Sequence, residues 1–207
     1  SASLESEAMT VTNVGQRLKA LLESVDGLRR SALAVTLGFV GVVTLFVGGA
    51  AVADPGGWTG IGGTAIVVLG LLGLSVLGLY RPGAALVVLA VAACAPLAFG
   101  VWSLVDYGAV HEWEDTHGPL SLVLVAALCA PAAIAGLSRP RAAGYFILTV
   151  SVAPLLLAAV GAASDFYEPL LGGLLLAPLI LSGVLFLMSG RQQGQPHPSA
   201  SLPGNPV

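Results

Sequence analysis

Six almost unbroken apolar stretches divide the chain: residues 31–53, 64–80, 84–105, 119–137, 145–163 and 170–190. Each is close to the roughly 20 residues that carry a helix across the hydrocarbon core of a bilayer. None contains a Lys, Arg, Asp, Glu or His. A charge at the centre of a spanning helix costs about 2.5–3.5 kcal/mol on insertion scales, so such residues persist mostly where they work. Their absence speaks against a proton relay, a buried ion-pair gate and a voltage sensor. The pattern predicts an all-α integral membrane protein with six transmembrane helices.

The polar positions between these stretches alternate in sign. Arg17, Lys19, Arg29 and Arg30 precede the first; Arg81 lies between the second and third, Arg139 and Arg141 between the fourth and fifth, and Arg191 after the last. The intervening loops have no basic residue and hold Asp54, then Asp106, Glu112, Glu114 and Asp115, then Asp165 and Glu168. Short loops rich in Lys and Arg stay on the cytoplasmic side. The expected topology therefore has both termini in the cytoplasm, in the plasma (inner) membrane. Ser31 to Ala53 exceeds the roughly 7–15 apolar residues of a secretory signal core, which favours an uncleaved first span.

Before the first span, Val11, Val14, Leu18, Leu21, Val25 and Leu28 step by three and four, the stripe of an amphipathic helix over about 11–28. Arg17, Lys19, Glu23 and Asp26 on its polar side cancel in charge. Lipid-surface helices carry a basic excess, so docking on a protein partner is preferred over lying on anionic lipid. The domain plan is a cytoplasmic segment 1–30, a transmembrane domain 31–190 and a Pro-rich tail 191–207, whose composition predicts disorder.

A duplication adds to this plan. Leu79, Arg81, Pro82 and Ala85 recur as Leu137, Arg139, Pro140 and Ala143, and Ala95-Pro96-Leu97 recurs as Ala153-Pro154-Leu155 at the same offset. Ala130-Pro131 and Ala177-Pro178 match in the return helices. Three parallel-repeat hairpins are expected, 31–80, 84–137 and 145–190, the first using Gly38, Gly41, Gly70, Gly73 and Gly78 in place of prolines.

Composition changes the picture little: 56% of residues are hydrophobic and 9% charged, against roughly 25% charged in soluble domains. No basic patch is large enough for nucleic acid. Seven Arg against a single Lys, with abundant Ala, Gly, Val and Leu, is the bias of a GC-rich bacterial genome.

Four groups of residues are candidate sites. The outer loop 106–117 gathers His111, Glu114, Asp115 and His117, donors that Zn, Mn or Cu accept. His111 with Asp115, and Glu114 with His117, would share a helix face, whereas the two histidines would not. The plainer reading is a solvated acidic loop anchored at the interface by Tyr107 and Trp113. Pro96, Pro131, Pro154 and Pro178 lie at similar depth; by freeing the carbonyls of Ala92, Ala127, Val150 and Leu174 they could bend the bundle open around a solute or lipid cavity. Arg81 and Arg139, at equivalent turns, are placed to meet lipid phosphates. Small-residue pairs (Ala34 and Gly38, Ala132 and Gly136, Gly173 and Ala177) permit close helix contact, inside the protein or with a partner. Cys94 and Cys129 read as inert packing thiols.

No Gly-x-Ser-Gly nucleophile, His-Glu-x-x-His zinc motif, P-loop or intramembrane Asp pair is present. The expectation is a non-enzymatic, cofactor-free accessory, scaffold or assembly subunit in contact with membrane lipids and other integral membrane proteins. The alternatives are a small transporter or lipid-handling protein with a proline-lined cavity, and an outer-face metal-binding enzyme.

Overall fold

A computed structural model describes residues 26–53, 57–117, 120–162 and 167–192, together with the helical backbone at 15, 16, 19 and 23; side chains are described for fewer of them. Every long element is a helix: α1 (Gly27–Ala53), α2 (Gly57–Tyr80), α3 (Pro82–Ala92), α4 (Cys94–Val105), α5 (Tyr107–His117), α6 (Leu120–Gly136), α7 (Pro140–Gly161) and α8 (Tyr167–Gln192).

Among the described residues, four segments are long and apolar enough to cross a membrane: Gly27–Phe46 in α1, Pro82–Val105 through α3 and α4, Pro140–Gly161 as α7 and Leu171–Gln192 in α8. The stretches expected at 64–80 and 119–137 appear, within the described side chains, as the shorter apolar helices Val68–Tyr80 and Ser121–Gly136. In each of the four, only 28% of the most apolar window is buried. Leu45, Phe46, Val105 and Leu174 are each more than 70% exposed, a surface that lipid tails cover without penalty and water does not. The chain is a multi-pass helical membrane protein.

Ahead of the second apolar stretch the backbone is already helical from Gly57 onward, through Gly60, Gly62 and Gly63. The prolines also part company. Pro96 coincides with a break at Ala93 between α3 and α4, next to the Ala92 carbonyl that its ring cannot serve. Ala93 stays in the right-handed region (φ −64°, ψ −16°), so the rod relaxes there without reversing. Pro131, Pro154 and Pro178 lie inside helices that run on without interruption.

Packing also departs from a simple row of hairpins. α7 and α8 form the most extensive pair, but α1 packs chiefly on α8 and α6, and α2 on α6 and α3. Close approach depends on missing side chains: a Cβ on Gly144 would lie 2.8 Å from the Gly183 carbonyl oxygen, and one on Gly161 would overlap the Ser103 backbone. Between α1 and α8, Thr36 and Ser182 place their hydroxyls 2.5 Å apart. Both reach the Ala32 carbonyl, at 3.0 and 2.9 Å.

The duplicated motif has duplicated geometry at the turns. Arg81 (φ −137°, ψ 72°) and Arg139 (φ −131°, ψ 68°) have nearly the same backbone, each ahead of a proline in the first helical turn. A following proline disfavours the α region for the residue before it, so each turn ends one helix and starts the next. Of the amphipathic stripe, only Leu28 is described, half-buried at the start of α1; Val11, Val14, Leu18, Leu21 and Val25 lie outside the described residues. So does the tail, apart from Arg191 and Gln192, which continue α8.

Candidate functional site

The segment expected as an outer loop is the helix α5. Asp106 both closes α4 and opens α5: its backbone N–H donates to the Trp102 carbonyl at 2.8 Å, and its carboxylate accepts from Ala109 N–H at 3.0 Å. An Asp in this position satisfies a donor that the helix itself leaves unpaired. α5 then lies back on the bundle. Trp113 meets Phe99 and Trp102 of α4 with ring centroids 5.3 and 6.1 Å away, and Val110 is buried. Farther along, a Glu114 carboxylate oxygen accepts from the Ser121 N–H at 3.0 Å, in the first turn of α6. That bond ties α5 to α6 and meets the general preference of helix starts for negative charge.

Beneath α5 is a cavity of about 340 Å³. Phe99, Leu122, Val125, Leu155, Leu175 and Leu176 supply its apolar walls, while Tyr107, His111, Glu114 and Ser121 bring polar groups to one side. Four long helices and α5 thus contribute to one space. Pro154 lines it, opposite the close contact that a Cβ on Gly100 would make with Pro154 Cα at 2.9 Å. Pro96 and Pro131 are fully buried in the packing, and Pro178 is half-buried; none of these three lines the cavity. Of the four prolines, Pro154 alone borders this void, which lies where α5 bridges the helix ends.

The metal candidates separate. His111 Nε2 and Asp115 Oδ2 are 3.7 Å apart on one exposed face, and the His111 ring stacks on Tyr107 at 6.2 Å with an interplanar angle of 7°. Glu114 turns the other way, to Ser121. The His117 side chain lies outside the described residues. Among the described residues, no three His, Cys, Asp or Glu side chains converge as a metal would require. Cys94 is exposed and Cys129 buried, and both are free thiols.

At the opposite end, the basic residues form a layer. Arg29 is 5% exposed. It donates to Ser189 Oγ at 2.8 Å and to the Leu137 carbonyl at 3.1 Å, joining the start of α1 to the ends of α8 and α6. Asp26 lies 3.8 Å from the same guanidinium. Arg141 donates to the Gly190 carbonyl at 2.9 Å, and Arg30 to that of Glu23 at 3.1 Å. Carbonyls at helix C-termini lack partners within the helix, and cations suit that end. Sequence reasoning treated these arginines as markers of topology alone. Their capping role was hidden because Arg29 reaches residues 108 and 160 positions away.

No protein family, curated protein or solved structure matches the chain.

Proposed function

We propose that this is a six-span protein of the bacterial inner membrane, with both termini on the cytoplasmic, basic side, and that it binds the apolar portion of a membrane amphiphile beneath α5. The cavity carries this reading. Its walls are hydrocarbon, its polar groups are confined to the acidic end, and a helix held by Trp113 and Glu114 spans it. Ligand sites of this size, from about 300 Å³ upward, typically combine an apolar lining with a few polar groups that set orientation. A tail would lie against Phe99, Leu155 and Leu176, and a hydrogen-bond-donating or cationic head would face Glu114 and His111. The three hairpins, parallel in direction, are the arrangement that the alternating charges support.

Ala158 lines the cavity, and Ala158→Phe would fill part of it. Lipid extracts of protein purified in mild detergent should contain a stoichiometric amphiphile, reduced about tenfold in the variant, the equivalent of roughly 1.4 kcal/mol of binding. Retention of the same amphiphile by a normally melting Ala158→Phe protein would overturn the proposal.

The second reading is the accessory or scaffold subunit, for which the outward-facing small residues speak. Ala34 and Gly38 on α1 are exposed, as are Gly41, Gly70 and Gly73, and a Cβ on any of these glycines would meet nothing within 4 Å. Close helix association in lipid uses such positions. Purification in mild detergent should then yield a stoichiometric integral-membrane partner that Gly38→Leu releases; a monomer at native abundance counts against it.

A further inference from the structure

The geometry points to a binding site for a phosphate ester at the basic end, held between Arg81 and Arg139 and supplied by an anionic lipid of the adjacent leaflet. The basic layer divides into two kinds of arginine. Arg29, Arg30 and Arg141 are committed to backbone carbonyls or a serine hydroxyl. Arg81 and Arg139 are exposed, and among the described residues neither side chain has a hydrogen bond or an ion pair.

The two turns that carry them are neighbours. The guanidinium of Arg139 crosses to the other turn, where its Nη1 and Cζ lie 3.3 and 3.4 Å from the point at which Gly83 would carry a Cβ. Gly83 is two residues from Arg81, so absence of a side chain there is what brings the Arg139 head group beside the Arg81 turn. Two fork-shaped cations without a carboxylate between them match the oxygens of a phosphodiester, which accept paired N–H donors. Depth selects the lipid as the source. Tyr80, next to Arg81, is 41% exposed, and Tyr145, one and a half turns into α7, is 62% exposed. Exposed tyrosines at helix ends sit at the headgroup level, where cations are attracted to anionic lipid.

The test is native mass spectrometry of the full chain reconstituted in mixed phosphatidylglycerol and phosphatidylcholine, reading the ratio of the two lipids retained. Wild type should favour phosphatidylglycerol, and Arg81→Gln with Arg139→Gln should lower that preference about thirtyfold, the effect of two surface cations. Should the glutamine pair fail to fold, Arg81→Lys with Arg139→Lys keeps the topological charge but loses the fork, and Gly83→Val keeps both arginines but displaces Arg139. Each should lower the preference severalfold. Excess inorganic phosphate separates the sources: it leaves a lipid-occupied site unchanged, whereas displacement of phosphatidylglycerol assigns the site to a soluble phosphate ester. An unchanged lipid ratio in the lysine pair and in Gly83→Val, both melting normally, overturns the site.

Discussion

The two ends of the bundle are closed by different physics. At the basic end, Arg29 and Arg141 donate to the terminal regions of α6 and α8, so polar bonds between distant segments draw the helix ends together. At the acidic end, α4 and α7 meet through Gly100 and Gly161, and α5 is held by tilted aromatic rings and one carboxylate. Carboxylates accept hydrogen bonds but cannot donate to orphan carbonyls when ionised. Acidic side chains therefore cannot cap helix C-termini as arginines do. In this chain the basic end is joined by arginine donors, whereas the acidic end combines close backbone contact between α4 and α7 with an extra helix laid over the cavity.

The strongest way to break this contrast is to remove Arg29. Arg29→Ala strips the Leu137 carbonyl and Ser189 of their partner in a buried setting and should cost about 3 kcal/mol. Denaturant or thermal unfolding in detergent would report it, and a loss below that of an exposed arginine such as Arg81 would refute the capping role.

A paired glycine substitution sharpens the comparison. Gly161→Ala at the acidic end places a methyl on the Ser103 backbone, which cannot yield, and should cost about 2 kcal/mol. Gly83→Ala at the basic end meets only the head of the exposed Arg139 side chain, whose flexible stem can move aside, and should cost about 0.5 kcal/mol or less. Equal losses in a melting assay would show that the two ends do not differ in rigidity.

An effect smaller than that of Arg29→Ala or Gly161→Ala belongs to the middle of the bundle. Thr36→Val removes one hydroxyl from the group shared with Ser182 and Ala32. Interhelical hydrogen bonds in membranes are worth about 0.6–1.7 kcal/mol, so a loss near 1 kcal/mol is expected, midway between the two ends in position and owed to neither. A double-mutant cycle with Ser182→Ala would isolate the pair.

Much of this was legible in the residues. The apolar stretches predicted helical rods, and the Leu-x-Arg-Pro motif predicted two equivalent turns, because a proline constrains the residue before it locally. Asp106 and the aromatic anchors are legible as well, although the sequence over α5 reads as a loop. Its eleven residues mix charged and aromatic side chains without a long apolar period, so nothing local announced a helix. The cavity beneath α5 is not legible in any one stretch. It depends on residues from 99 to 176 meeting in space, Pro154 among them, while Pro96 and Pro131 are buried in the packing.

The seating of α1 has a consequence for biogenesis. Its neighbours are α6 and α8, both later in the chain, so α1 gains its α8 partner only when that helix has been inserted. Until then Thr36 and Arg29 lack the hydroxyls of Ser182 and Ser189, and the nascent chain holds a polar seam open to the bilayer or to the insertion machinery. The seating of α1 thus waits for α8, and a chain cut short before α8 would present that seam to quality-control proteases.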